Sequence, residues 1–238
     1  MEDNLYKKEW LEFYDRLFPE SRYKATFTIL KRVIKTCNKN AKDILELACG
    51  TGRYTKYFAK EFNVVGTDIS KDAISVAKKR VKRAKFRVAE MSNINEGDRF
   101  DVIACLFESF RYNKSYEQCL KVLKRAYRAL RKDGIFMCDF GDFPPSKNVR
   151  IHNEVKLSGG KIIIKDETIN TKGNFDMRID KVKIDSKAID LKRAPLLRIS
   201  KNKMINMMLK TGFKNTKAIK GFQPETKKSY LFIGQKTH

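Results

Sequence analysis

The sequence predicts an α/β protein built on a doubly wound parallel sheet, with an antiparallel β-rich insert. Three observations point to it. Between residues 41 and 140, short apolar runs alternate with longer amphipathic ones, as parallel strands alternate with crossover helices. Glu46, Asp68, Glu90, Leu106 and Asp139 fall at or near the ends of those apolar runs, the side of such a sheet where ligands gather. After Gly141 the texture changes to short β-rich runs, punctuated by Pro144-Pro145, Gly159-Gly160 and Lys172-Gly173-Asn174, which read as hairpins.

Taken in order, residues 5–36 read as one or two helices. Leu5, Tyr6, Trp10, Phe13, Tyr14 and Leu17 recur at three- and four-residue steps, and Pro19 breaks the pattern. Ala25, Phe27, Ile29, Leu30, Val33 and Ile34 resume it. The first strand is expected at 44–48, then a helix at 53–61 with Tyr57 and Phe58 inward. A second strand spans 64–67. Ser70 is suited to cap the next helix, with Asp72 in its first turn and Ile74, Ala77 and Val81 on one face. Strands follow at 85–89 and 100–106, the latter nearly all apolar, as for a strand buried on both faces. The helix 116–130 presents Cys119, Leu120, Leu123, Tyr127 and Leu130, and Asp133-Gly134 turns into a strand at 135–140. Insert strands are expected at 154–157, 161–169, 175–184 and, more weakly, 188–191. A helix at 200–211 turns Met204, Ile205, Met208 and Leu209 inward and ends at Gly212, and strands at 214–220 and 229–234 close the chain. The expected division is a helical cap over 1–40, a core over 41–142, an insert over 143–198, and a return to the core over 199–238.

The segment Asp43-Ile-Leu-Glu-Leu-Ala-Cys-Gly-Thr-Gly52 carries the most chemical information. An apolar run bearing Glu46 near its end turns on Gly50 and Gly52, whose bare backbones let a ligand come close. The next run, Asn63-Val-Val-Gly-Thr-Asp68, ends in a second carboxylate. A dinucleotide fingerprint, G-x-G-x-x-G with an acid about 20 residues on, fits the first two glycines, but Thr55 stands where the third belongs.

These residues resemble motif I, E/D-x-x-C-G-T-G, and its partner acid in the class I S-adenosylmethionine-dependent methyltransferases. The ending Leu209-Lys-Thr-Gly-Phe213 followed by a strand, and Ser229-Tyr-Leu-Phe-Ile-Gly-Gln235, resemble that family's final elements. The resemblance implies a seven-stranded Rossmann-like sheet, S-adenosylmethionine as methyl donor, S-adenosylhomocysteine as product, and no metal. It also implies residue roles. Glu46 and Ala48, with Gly50 and Gly52, would hold the methionine moiety. Asp68 would accept both ribose hydroxyls, since a carboxylate offers two oxygens to two adjacent donors. Ile69 would pack on the adenine, and Glu90-Met91 would read its edge. Tyr14 belongs to a Tyr-Asp segment that resembles the family's N-terminal cap on the pocket; its alternative is a core aromatic.

Leu106-Phe-Glu-Ser-Phe-Arg-Tyr112 follows the fourth strand and resembles the M-F-x-S-x-x-Y pattern of family members acting on small molecules, departing from it at Glu108. Leu106 would lie against the transferable methyl. Glu108 and Tyr112 are the candidates for catalysis, Glu108 as a general base or a binder of a cationic acceptor, with an ion pair to Arg111 as the alternative. A methyl on a sulfonium is already activated, so transfer mainly requires an acceptor lone pair held in line.

Composition bounds what remains. No apolar run approaches a membrane span, the N-terminus Met1-Glu-Asp-Asn-Leu-Tyr-Lys-Lys8 lacks a signal-peptide core, and mean hydropathy is −0.53, so a cytoplasmic, soluble protein is expected. The five cysteines show no C-x-x-C pair, and His152 stands without histidine partners, so no metal site is read. The net charge of +24 comes from 52 basic against 28 acidic residues, in both parts of the chain: 30 and 20 over 1–142, 22 and 8 over 143–238. Such a field attracts anions. The leading reading is N- or O-methylation of a small-molecule acceptor, for which an anionic one suits the charge. The alternative is an RNA methyltransferase using the basic surface of 78–87 and 121–132. No aromatic-basic interleaving of the single-strand type supports it, so nucleic acid is not the favoured partner. A third reading is a cofactor-binding subunit without catalysis. The acceptor, its reacting atom and the oligomeric state are not legible.

Overall fold

The alternating pattern folds as its periodicity dictates. The computed structural model describes residues 11, 15, 18, 20–142, 149–156, 162–184, 187–192, 195–223 and 228–237. It divides into two compact units: Glu20–Asp142 with Ile199–His238, and a second built on Phe143–Arg198.

In the first unit, α1 (Glu20–Cys37) buries Tyr23, Thr26, Phe27, Leu30, Val33 and Ile34, while Ala25 turns outward. There follow β1 (Asp43–Leu47), α2 (Thr55–Phe58), β2 (Asn63–Asp68), α3 (Lys71–Arg80), β3 (Lys85–Val88), β4 (Phe100–Cys105), α4 (Tyr116–Ala129) and β5 (Leu130–Gly141). The second unit contributes β6 (Val149–Lys156), β7 (Ile162–Lys172), β8 (Phe175–Ile184), β9 (Lys187–Lys192) and β10 (Leu196–Leu197). The first unit then resumes with α5 (Lys201–Lys210), β11 (Lys214–Lys220) and β12 (Ser229–Gln235).

The core sheet has seven strands in the order β11-β12-β5-β4-β1-β2-β3. β1 to β5 pair in parallel; β12 runs antiparallel to both β5 and β11. The expected doubly wound sheet is therefore present, and its order reverses between β1 and β4, which opens a crevice at their C-terminal ends. β4 is buried at every position, in keeping with its unbroken apolar run. The outer strands differ. β3 leaves Lys85, Arg87 and Val88 exposed, and β11 exposes Lys214, Lys217, Ile219 and Lys220.

Three helices start on a serine whose Oγ accepts the amide three residues on: Ser70 from Ala73 at 3.1 Å, Ser115 from Gln118 at 3.2 Å and Ser200 from Lys203 at 3.2 Å. Three local expectations need correction. The helix expected at 53–61 contracts to Thr55–Phe58, because the amides of Lys60 and Glu61 beyond it bond three residues back and tighten into turns. Leu209 faces solvent while Met207 is buried, since Met204, Met207 and Met208 share one face of α5 at three- and four-residue spacing. The fifth strand begins five residues early, because Asp133 takes positive φ and the turn pairs with Lys236 on both sides, Asp133 N to Lys236 O and Lys236 N to Gly134 O.

The second unit is an antiparallel sheet. β6 pairs β7, β7 pairs β8, and β9 and β10 share the other edge of β8. Lys172 pairs with Phe175 across a two-residue turn, and Gly173 at φ +57° supplies the positive φ that such a hairpin requires.

Candidate cofactor site

Every group assembled here comes from the first unit. Past Leu47 the chain makes a tight loop in which Ala48, Gly50 and Gly52 all have positive φ. The Cys49 amide still bonds Thr67 O of β2, and Gly52 N closes on Cys49 O at 3.0 Å. A Cβ on Gly50 would meet nothing within 4 Å, so its backbone borders open space; one on Gly52 would lie 3.2 Å from Ala77 Cβ of α3. Arg80, from the same helix, ties down the loop through Thr51, donating to its O and its Oγ1, both at 2.7 Å. Sequence reasoning missed this arginine.

Two carboxylates flank the loop. Glu46 is 2% exposed and its Oε2 accepts from Thr55 Oγ1 at 2.5 Å. Burial raises its pKa to about 8; the Thr55 bond works the other way and the negative charge of Asp68 adds to the rise. Asp68 is buried too. Its Oδ2 accepts Gly50 N at 2.8 Å and its Oδ1 accepts Ser70 N at 2.9 Å, and burial raises its pKa against those bonds. Each oxygen retains further acceptor capacity. Beside it Ile69 leaves 64% of its surface exposed, an apolar side chain with no protein cover on the ligand side of the strand ends.

Beyond β3, Glu90 Oε1 accepts from Ser92 Oγ at 2.9 Å and from Gln118 Nε2 at 2.7 Å. Met91 Sδ lies 3.4 Å from Asn113 Nδ2. Beyond β4, Leu106 is buried, and Phe107 and Glu108 stand consecutively at φ +61°. Two adjacent left-handed residues without glycine are strained. Asp139 holds them: its Oδ1 accepts Phe107 N at 2.6 Å and its backbone O accepts Glu108 N at 3.1 Å. Glu108 pairs with Arg111 Nη1 at 3.1 Å through Oε2 and accepts Gly141 N at 3.3 Å through Oε1, while its side chain stays 22% exposed. Tyr112, at the end of the 3₁₀ turn Ser109–Tyr112, is half-buried. Tyr14 lies outside the described residues.

Asp139 is the residue to which sequence reasoning gave no role. It is fully buried, and burial raises its pKa to about 7, opposed by donors from Gln223 Nε2 and Phe107 N and reinforced by Glu108. Gln223 bonds Asp139 Oδ2 and accepts from Arg22 of α1. An acid inside the apolar run Phe136-Met-Cys-Asp-Phe140 was the available signal. Nearby, the Tyr23 ring stacks on Phe107 at 5.8 Å and carries the Arg53 guanidinium at 4.2 Å.

The strand ends thus bring together Glu46, Ala48, Gly50, Gly52, Asp68, Ile69, Glu90, Met91, Leu106, Glu108 and Tyr112. Among the described residues no group of histidine, cysteine, aspartate or glutamate side chains could hold a metal ion. The open space at Gly50 and the paired buried acids fit a ligand with a cationic amino end and a diol, as S-adenosylmethionine has.

Comparison with known proteins agrees. Residues 44–134 match a family model described as a methyltransferase domain. The chain is 26% identical over 144 residues to the dTDP-3-amino-3,4,6-trideoxy-alpha-D-glucopyranose N,N-dimethyltransferase of Streptomyces venezuelae, covering 59% of this chain and 60% of that one. The chain thus spans about six-tenths of the length of that curated relative. Among solved structures, Streptomyces venezuelae DesVI superposes with a TM-score of 0.82 at 19% identity, over 94% of this chain and 95% of that one. CalS10 bound to S-adenosylmethionine, an amino pentose methyltransferase from Micromonospora echinaspora involved in calicheamicin biosynthesis, does so with 0.82 at 17% over all of both chains. Residues 44–134 thus match a methyltransferase domain, and the strand order and the Glu46–Gly52 turn agree with the fold of S-adenosylmethionine-dependent methyltransferases.

Proposed function

We propose that this chain transfers a methyl group from S-adenosylmethionine to an amino nitrogen of an anionic, sugar-like small molecule. One observation carries the donor: two buried acids, Glu46 and Asp68, flank a loop in which Ala48, Gly50 and Gly52 all take positive φ. Support for the acceptor comes from the relatives, one named for a dTDP-amino sugar and one for an amino pentose, and from the +24 charge, which draws anions.

When bound, the cofactor supplies a methyl activated by sulfonium charge. The chain's residues then have separate tasks. Glu46, ionising as it meets a cation, orients the methionine end, and Asp68 fixes the ribose. Leu106 and the strained Phe107–Glu108 turn shape the wall beyond β4. A protonated amine must shed its extra proton before its lone pair can attack; the partly exposed Glu108 carboxylate receives that proton, and Tyr112 orients the acceptor.

Thermal unfolding with S-adenosylhomocysteine tests the donor site. Wild type is expected to gain several degrees and Asp68→Ala to gain little; equal shifts, or none in wild type, would overturn the assignment. Micromolar binding of mixed tRNA with a steep salt slope would instead favour a nucleic-acid acceptor.

A further inference from the structure

Asn113 is a buried amide with one half of its bonding left open. It is 2% exposed, directly after the 3₁₀ turn Ser109–Tyr112 that follows β4. Its Nδ2 donates to Phe110 O at 2.8 Å and lies 3.4 Å from Met91 Sδ. A backbone carbonyl can only accept, so the Phe110 bond fixes which end of the amide is nitrogen. The other end, Oδ1, is buried and has no hydrogen-bond partner among the described residues. A buried acceptor without a donor costs free energy unless something in the functional state supplies one.

The surroundings say what the donor is. Asp68 ends β2, and Ala89 N bonds Asp68 O at the start of the segment that leads to Glu90 and Met91. A nucleoside whose ribose sits on Asp68 therefore extends its base towards β3, where Met91 touches Asn113. Glu90, the acid expected to read the base, already takes two donors on Oε1, one of them from Gln118 at the start of α4. Of the polar groups on adenine's edges only the exocyclic amino group donates from nitrogen; the ring nitrogens not bound to ribose accept.

We propose that Asn113 Oδ1 is the acceptor for the adenine amino group of the methyl donor, so that Asn113 sets the base specificity of the site. This rests on the donor assignment above. Met91 then packs beside the base, and the Phe110 carbonyl fixes the amide so that its oxygen, covered in the ligand-free chain, is the end that meets the base once the neighbouring side chains part.

Calorimetric affinity for two ligands tests the inference without any turnover: S-adenosylhomocysteine and its analogue with purine in place of adenine, which lacks only the amino group. Wild type should favour the adenine form about tenfold, the value of one hydrogen bond to a buried partner. Asn113→Leu, similar in volume, should bind both alike, losing affinity for the adenine form alone. A wild-type preference retained in Asn113→Leu would overturn the assignment. Equal affinity of wild type for both ligands would also overturn it, whatever the variant does or whether it folds. Wild type that binds neither ligand sinks the donor site itself, a result distinct from binding without discrimination.

Discussion

Glu46 shows how a single residue couples folding, ligand and pH. Its carboxyl ionises near 4.5 in an unfolded chain and near 8 in the folded one. Between those values the unfolded chain has released a proton that the folded chain keeps, so the contribution of Glu46 to stability falls as pH rises from about 4.5 to about 8. A cationic amino group beside it favours the ionised form. Binding of S-adenosylhomocysteine at pH 7 is therefore expected to release a proton, seen as a binding enthalpy that changes with the ionisation enthalpy of the buffer. In Glu46→Gln that dependence should vanish; its persistence would assign the proton elsewhere. Gly52 makes a steric prediction. An alanine there would take φ +79° with its Cβ 3.2 Å from Ala77, costing on the order of 1–3 kcal/mol, readable by urea unfolding. At this scale the acids and glycines of the loop were legible because each sits a few residues from the next in one motif. Asp139 and Gln223, 84 residues apart, share no local pattern, and Asn113 reads as an ordinary loop residue until its carbonyl is found without a donor.

Elements were legible wherever local signals and packing agreed. Helices α3, α4 and α5 begin at serines that cap them, Ser70 as its sequence position suggests and Ser115 and Ser200 as the structure adds. Ser115→Ala should cost about 1 kcal/mol, a lowered denaturant midpoint with an unchanged slope; no change would mean that α4 holds its first turn by packing alone. Where the reading slipped, tertiary geometry had overruled local preference. Loop closure over the glycines left α2 only four residues, so the site relies on carboxylates and bare backbone rather than on a long helix dipole. The far rim of the sheet has its own anchor. Asp101 accepts Lys42 N at 2.8 Å and Asp43 N at 2.9 Å, and Arg131 bridges Asp101 and Asp43 at 3.1 and 2.8 Å. Charge thus fastens β1, β4 and the turn into β5 at the end remote from the ligand, leaving the other end of the strands to chemistry.

For the whole molecule, strand–helix alternation predicted the sheet and its switch point, and the closing strands completed the seven. What the sequence withheld was the acceptor, because recognition of the transferred methyl's destination is written in loops and long-range contacts, not in a spacing. The net charge was equally mute about its purpose, and the exposed rims of the sheet offer one. Both edge strands carry basic side chains, Lys85 and Arg87 on β3 and Lys214, Lys217 and Lys220 on β11, beside exposed Val88 and Ile219. An unpaired strand with an apolar side chain is a template for another copy, and lysines along it blunt that tendency. Repulsion of this kind is screened over roughly 8 Å at physiological ionic strength and about 3 Å at 1 M. Light scattering from concentrated protein should therefore rise with added salt and stay low without it; the opposite trend would deny the rims this role. The lysines would then act as colloidal spacers, making dilute buffer rather than strong brine the medium in which this protein keeps its copies apart.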